Sequence, residues 1–414
     1  VQVTRDAGKT WALVSGKIAG LPPNTWVTGI EAGHFAEGTA YATFDGHWTG
    51  DMKTYVYRTT DFGKSWVSIA TADLKGYAHV VREDLVKPDL LYLGTELGLY
   101  LSIDGGAQWS QIKNEFPNVA VRDLAIHPRE HDLLIATHGR GIWILDDLTA
   151  LRALSGEVMA ADARMLPSRP SVMVIPSSEQ RFEASEYRGR SLEDATAVSY
   201  YLKKRHMFGD LRLEVFDAKG NRITSTPGGK RRGLNRVSFS TRLKGPKVPP
   251  ASNLVPQAFA FVGPQLPEGA YTVKLIRGND TLTSEVQLVA DPRSPHTAED
   301  RAAQREIAHR LYRDLERLTY FVDAIIDTRD QERTLAEKLG KGDALGKKLG
   351  AAADRLDELR RSLVTVREGG QITGEEKLRE KLGLLYGGVN GYEGRPTNSQ
   401  LRYSDVLEGE MAAA

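Results

Sequence analysis

Thr4-Arg5-Asp6-Ala7-Gly8-Lys9-Thr10-Trp11, Thr59-Thr60-Asp61-Phe62-Gly63-Lys64-Ser65-Trp66 and Ser102-Ile103-Asp104-Gly105-Gly106-Ala107-Gln108-Trp109 are three copies of one phrase, Ser/Thr-x-Asp-x-Gly-x-x-Trp. Its fixed positions recur in register, so the chain is built on an internal repeat. The chemistry is that of a tight hairpin. The Asp carboxylate and the Ser/Thr hydroxyl bond backbone N–H groups inside the turn. The Gly accepts a positive φ that a side chain would resist. The Trp ring packs on the neighbouring hairpin and pins the turn to the core. Thr4, Asp6, Gly8 and Trp11, with Thr59, Asp61, Gly63 and Trp66 and with Ser102, Asp104, Gly106 and Trp109, are therefore structural. Asp6, Asp61 and Asp104 belong to different units and do not converge on one bond.

Working outward, Asp89-Leu90-Leu91-Tyr92 through Gly98-Leu99-Tyr100 aligns without a gap on Asp132-Leu133-Leu134-Ile135 through Gly141-Ile142-Trp143, 43 residues later. Each copy reads as a short apolar strand, a polar turn and a second strand ending at the box, which has decayed to Leu145-Asp146-Asp147 in the last copy. The first two boxes stand 55 residues apart, and the excess lies between Tyr41 and Tyr57. A period near 43 with several short strands per unit is the signature of a β-propeller. Three to four units are fewer than closed propellers usually contain, so residues 1–150 are expected to be the last three to four blades, with more blades and any signal peptide upstream.

These boxes resemble the Asp-box (BNR) repeats of sortilin-like and exo-sialidase-like propellers. More narrowly, Val121-Arg122-Asp123-Leu124-Ala125-Ile126-His127-Pro128 with Ala136-Thr137-His138-Gly139-Arg140-Gly141-Ile142-Trp143-Ile144-Leu145-Asp146-Asp147 is similar to the propeller-closing run of large secreted bacterial BNR-repeat proteins of the "glycosyl hydrolase" type. Leu385-Tyr386-Gly387-Gly388-Val389-Asn390-Gly391-Tyr392 with Gly394-Arg395-Pro396-Thr397 is similar to that family's end. The resemblance implies a secreted or periplasmic protein. It does not imply an activity, because the Asp box occurs in enzymes and binding proteins alike.

Composition bounds the rest. Lys plus Arg total 55 against 54 Asp plus Glu, for a net charge of +1, which implies no nucleic-acid partner. No cysteine occurs, which removes disulfides and thiolate metal sites and departs from true sortilins. No apolar run reaches the ~18 residues of a membrane span. No cofactor or metal is implied.

Beyond the repeats, 151–192 reads as a linker, punctuated by Met165-Leu166-Pro167 and Ile175-Pro176-Ser177-Ser178, with one strand at Val172–Ile175. Short alternating strands from 193 to 292, with turns at Asp217-Ala218-Lys219-Gly220 and Asn279-Asp280, predict an immunoglobulin- or fibronectin-III-like β-sandwich. The Pro-rich stretch 243–262 reads as a long loop. Residues 293–414 are helical. Thr297 and Asp300 form a capping box, and Ile307, Leu311, Leu315, Leu318, Val322 and Ile325 make one apolar stripe. A second stripe runs through Leu345, Leu349, Leu356, Leu359 and Leu363, and shorter helices follow at about 374–386 and 397–411. The fold class is thus mainly β: a partial propeller, an Ig-like sandwich and a helical C-terminal segment.

Two groups are candidates for ligand binding. Asp45, His47, Trp48, Asp51 and Lys53 share the long hairpin between Tyr41 and Tyr57, where an aromatic ring with flanking carboxylates suits a sugar face or a peptide; Asp45 and Asp51 also suit a hard cation. The plainer alternative is a solvated hairpin. His138 and Arg140 stand on a turn facing a propeller channel, unless Arg140 pairs with Asp146 or Asp147. Glycoside hydrolysis needs two carboxyls roughly 5–9.5 Å apart, and sialidases need Tyr with an Arg cluster; Arg122 and Arg140 alone do not make that set. No phosphate loop, zinc spacing or nucleophile elbow occurs. The reading is a binding or scaffolding module that engages a protein, peptide or glycan. The alternative is the non-catalytic portion of a sialidase- or xyloglucanase-like glycoside hydrolase whose catalytic residues lie upstream.

Overall fold

The structure, a computed structural model, describes residues 1–113, 115–174, 194–250, 260, 262–340, 342–367 and 375–413, with the backbone alone for Lys17. The Ile175-Pro176-Ser177-Ser178 punctuation, the linker beyond it and most of the second half of the 243–262 loop lie outside these residues. The chain is mainly β with a helical C-terminal segment, and it divides into two compact units. The first holds Val1–Arg169 with 199–207 and 230–235; the second holds Pro170–Val198, Phe208–Gly229 and Arg236–Ala414.

In the first unit, β1 (Gln2–Val3) and β2 (Ala12–Leu13) form a ribbon. β3 (Trp26–Ala32), β4 (Ala40–Gly46), β5 (Asp51–Thr59) and β6 (Val67–Ser68) follow as an antiparallel sheet in chain order. β7 (Ala78–Glu83), β8 (Leu91–Thr95), β9 (Gly98–Ser102) and β10 (Ser110–Gln111) repeat it, and β11 (Val121–Ile126), β12 (Leu133–Thr137) and β13 (Ile142–Leu145) form a three-stranded version. β8 is buried along its whole length because other sheets cover both of its faces. The first strands lie side by side: Thr28 Oγ1 of β3 donates to Ala78 O of β7, and Arg82 Nε of β7 donates to Leu124 O of β11.

Each box closes its own turn. Thr59 Oγ1 donates to Asp61 Oδ1 at 2.9 Å and accepts from Gly63 N; Asp61 accepts from Ser65 N and Oγ at 2.9 and 2.7 Å. Thr4–Asp6–Thr10 and Ser102–Asp104–Gln108 repeat the pattern. The Ser65 bonds hold the Asp61 carboxyl down at about 2, and Thr10 holds Asp6 below the usual carboxylate range. The residue between Asp and Gly also takes a positive φ, as Ala7, Phe62 or Gly105. This conformation is uncommon for a bulky residue such as Phe62, and the turn's bonds hold it there.

The three tryptophans differ. Trp109 is buried with Tyr41, Val56 and Ile69 of the preceding sheet, and its Nε1 donates to Ile69 O. Trp66 is buried with Val14 and Ile18. Trp11 departs from the expected anchoring: it is 59% exposed, and its Nε1 returns to Gly8 O of its own turn. Trp66 and Trp109 thus pack backwards along the chain, and Trp11 stays on its own turn.

Charge stitches the first strands together. Arg82 on β7 donates to Glu31 on β3 at 2.9 Å and to Asp123 on β11 at 3.0 Å.

The second unit holds a five-stranded sheet in the order 171–172, 280–289, 269–277, 211–216, 222–227. It is antiparallel except where Ser171–Val172 runs parallel to Leu288–Val289. A ribbon pairs 242–244 with 262–265. The 42-residue helix Ala298–Leu339 starts at the Thr297/Asp300 capping box and buries Ile307, Leu311, Leu315, Leu318 and Val322, with Ile325 half-buried. In the helix Ala344–Leu363 the expected leucine stripe holds toward the C-terminal end, where Leu363 is buried and Leu359 packs on the same core, with Leu349 and Leu356 half-buried. Leu345 departs from it and faces water, and Gly346, Ala353 and Asp357 are buried beside the stripe. Small residues allow close approach there, and Asp357 is held by Arg329, Arg360 and Arg361. Helices Leu378–Asn390 and Asn398–Ala413 complete the cluster. No helix among the described residues is long and apolar enough to cross a membrane.

Two stability measurements follow. Urea unfolding of Trp109→Ala is expected to lose about 3–5 kcal/mol, whereas Trp11→Ala loses under about 1 kcal/mol; equal losses would refute backward packing. Arg82→Met is expected to cost about 2 kcal/mol, because Glu31 and Leu124 O keep their burial and lose their donor. A midpoint within error of the native chain would remove Arg82 from its structural role.

Candidate functional site

Every sheet of the first unit has two ends. The boxes occupy the turns after β1, β5 and β9, and the hairpins β4–β5, β8–β9 and β12–β13 lie at the opposite end. The predicted hairpin residues therefore stand away from the boxes. Between β4 and β5 the chain makes one 3-10 turn, His47–Thr49, and leaves it through Gly50 at φ 81°. Asp45 is buried and accepts from His47 N at 2.8 Å, with His47 Nδ1 at 2.5 Å. Asp51 accepts from Tyr55 Oη at 2.6 Å and from Lys53 N at 3.1 Å. The Tyr55 bond holds Asp51 below the usual carboxylate range, while burial, reinforced by Asp51, pushes Tyr55 up to about 12. Both aspartates are thus engaged by donors of the hairpin itself. Trp48 is 75% exposed, and Lys53 is also exposed.

The hairpin is completed by the neighbouring sheet. The His47 ring stacks on Tyr77 at 4.5 Å with 13° between planes and touches Trp48 at 4.7 Å. Tyr77 meets His79 edge-on at 5.1 Å. His79 Nε2 lies 2.9 Å from Glu96, which stands on the β8–β9 turn, and its Nδ1 lies 3.4 Å from Arg122 Nη1 of β11. Arg122 Nη2 is 3.6 Å from Glu96. The result is a continuous strip, Trp48–His47–Tyr77–His79–Glu96–Arg122, carried by three successive sheets.

The backbone explains why these side chains meet. β3 slips register between Val27 and Gly29, β7 between Ala78 and Val80, and β11 between Val121 and Asp123. The extra residues are Thr28, His79 and Arg122, at the same position of three adjacent strands. A bulge frees one residue from the ladder and re-aims its side chain. Gly29 permits the close approach, since a Cβ there would fall 2.9 Å from Thr43 Oγ1 and 3.2 Å from His79 O.

The electrostatics fix one proton arrangement. Burial pushes His79 below the ordinary imidazole value, so the ring is neutral. Glu96 on one side and Arg122 on the other select the tautomer with hydrogen on Nε2: Nε2–H donates to Glu96, and Nδ1 accepts from Arg122. Burial alone would raise Glu96, but the bonds from His79 and Tyr77, with Arg122 nearby, hold it below the usual range. Burial, with the Glu96 bond, raises Tyr77 and keeps it a donor.

His138 and Arg140 lie on the β12–β13 turn at the same end of their sheet, and both are exposed. His138 N donates to Ala120 O, and Trp143 Nε1 donates to Arg140 O. No contact joins these two side chains to His79 or Arg122 among the described residues. Asp147 takes Thr149 N and lies 3.9 Å from Arg169. Sequence reasoning missed Tyr77, His79 and Glu96. The 43-residue offset does place His79 in register with Arg122, and that alignment was the available signal. Among the described residues no three His, Asp or Glu side chains are placed to hold a metal ion.

No family model and no curated protein matches the chain. Among solved structures it is similar to YCF48 bound to D1 peptide, with 19% identity over 35% of this chain and 44% of that one and a TM-score of 0.26. It is also similar to the GH74 xyloglucanase from Xanthomonas campestris, with 17% identity over 68% and 45% and a TM-score of 0.28. The extracellular domain of the putative hybrid two component system BT4673 from B. thetaiotaomicron matches at 11% identity over 64% and 30%, with a TM-score of 0.23. The chain spans less than half the length of each.

The neutral His79 makes a pH prediction. As pH falls below its ordinary 6.5, the unfolded chain takes up the proton first, so stability is complete above that value and declines toward the lowered folded pKa. Urea midpoints of the native chain should fall between pH ~7 and ~5, and His79→Gln should flatten that fall. Identical profiles would show that His79 is not held neutral.

Proposed function

We propose that this chain is a binding module of an Asp-box propeller protein of the secreted bacterial BNR type, and that the strip across its first three full sheets takes an extended peptide segment bearing a carboxylate. The observation that carries this reading is the division of labour along the strip. The carboxylates face inward: Asp45 is bound by His47, Asp51 by Tyr55, and Glu96 by His79. The outward groups are an aromatic face on Trp48 and donors on Arg122 and Lys53, all exposed. Donors beside a flat ring suit an acceptor-rich ligand, and an Arg side chain with spare N–H groups suits a carboxylate.

In this reading 1–150 supply the last blades, 151–192 lead out of them, 193–292 form an Ig-like module and 293–414 support it. Localisation is secreted or periplasmic. A glycan is the second ligand class, for which Trp48 would stack on a sugar face. The glycoside-hydrolase alternative is disfavoured at this strip, because general acid–base work needs a pair of carboxyls open to substrate. An enzyme reading would place its carboxyls elsewhere in a longer protein.

The test is a binding screen of the full chain against acidic and neutral peptides and a glycan array, followed by calorimetry. Trp48→Ala and Arg122→Gln are each expected to weaken the selected ligand by about tenfold or more, with melting temperature unchanged. Affinity untouched by both would remove the strip as the site, and selection of neutral glycans alone would overturn the carboxylate assignment.

A further inference from the structure

A second surface carries a different chemistry. Lys203-Lys204-Arg205-His206-Met207 leads into Phe208-Gly209, and Lys230-Arg231-Arg232 lies on a second stretch of the chain. His206 N donates to Lys230 O at 3.0 Å, which brings the two stretches together. The Asn235 side chain accepts from Arg231 N and donates to Arg231 O and Gly233 O, so the second stretch is a built turn. Gly209, at φ 80°, turns the first stretch at its apolar tip.

All six cations are exposed, and the only carboxylate within 203–210 and 229–236 is Asp210. Such a concentration departs from a chain whose net charge is only +1. Lys204, Arg205 and Arg232 form no ion pair among the described residues, and Lys203 Nζ reaches Ala160 O. At the tip, Met207 is 62% exposed, and Phe208, the next residue, is 86% exposed. Two large apolar side chains held in water beside six cations are costly unless another phase covers them.

We propose that these paired turns are a docking point for an anionic lipid surface. A bilayer of negative headgroups meets both requirements: the cations sit in its surface potential, and Met207 and Phe208 enter the boundary with the acyl chains. A nucleic acid or acidic polysaccharide would satisfy the cations and leave the aliphatic Met207 side chain in water. The strip of the proposed peptide site shares no residue with this surface, so each stands or falls alone.

The experiment is co-sedimentation of the full chain with vesicles of phosphatidylcholine containing about a third phosphatidylglycerol, and with pure phosphatidylcholine. Binding to the anionic vesicles alone, weakening with salt, is expected. Lys204→Gln with Arg205→Gln and Arg232→Gln should lower the partition coefficient roughly 100-fold, about fivefold per cation. Met207→Ser with Phe208→Ser keeps every charge and should lower it about tenfold. Thermal melts of both variants report whether the fold is kept, and because each removes only exposed groups they should match the native chain. Failure of the native chain to bind anionic vesicles overturns the proposal, as does retention on heparin without vesicle binding. An unchanged partition for the Met207/Phe208 variant overturns it too, since the contact would then be one between charges only.

Discussion

Arg82 sits where three sheets of the first unit must agree. Its planar fork reaches Glu31 on β3, Asp123 on β11 and the carbonyl of Leu124, so one side chain spans the first strands of three consecutive sheets. Glu31 also meets His34 at 3.2 Å, and the adjacent Glu83 takes Tyr41 Oη and His34 N. Guanidinium suits this place because its donors leave in fixed directions and it stays charged, which lysine's single ammonium could not reproduce. Hydrophobic burial between sheets supplies most of the stabilisation, but it is indifferent to sliding. These directed bonds set the lateral register of β3, β7 and β11, and the alignment of their bulges depends on that register.

With register set, the two ends of each sheet specialise. At one end the box side chains satisfy their own turn, so Asp6, Asp61 and Asp104 have no bonding capacity directed at a common ligand. At the other end the bulged His79 and Arg122 escape the ladder and join Tyr77, His47 and Trp48, while the bulged Thr28 bonds Thr43 and Ala78 O. Carboxylates there act as internal acceptors that orient rings and fix a tautomer. Positions are thereby held, and the exposed groups of the strip, Trp48 and Arg122, are an aromatic face and a donor.

The repeat was legible because its residues act locally: a carboxylate, a hydroxyl and a glycine close a turn whatever surrounds them. The capping box at Thr297 and the stripe from Ile307 to Val322 were legible for the same reason, since helix periodicity is a property of one segment. What packs between segments was less so. Trp11 reads like Trp66 and Trp109, yet its ring stays exposed on its own turn, because burial is settled by what packs on the ring and not by the phrase itself. Leu345 matches the apolar period that Leu359 and Leu363 obey, yet it faces water, while Gly346, Ala353 and Asp357 are buried and Asp357 meets Arg329 of the facing helix. The candidate hairpin was found by its excess length. Its partners Tyr77, His79 and Glu96 belong to the next sheet, and only the alignment of His79 with Arg122 hinted at them.

The coincidence of three bulges has a consequence for how such a surface diversifies. Thr28, His79 and Arg122 occupy equivalent slots, each the extra residue at the bulge of its strand. A hydroxyl, an imidazole and a guanidinium already fill them in one molecule. The three differ in what a change would disturb: His79 is buried between Glu96 and Arg122, and Thr28 Oγ1 ties β3 to Ala78 O of β7, whereas Arg122 is exposed, so the chemistry of this face is freest to drift at the Arg122 position.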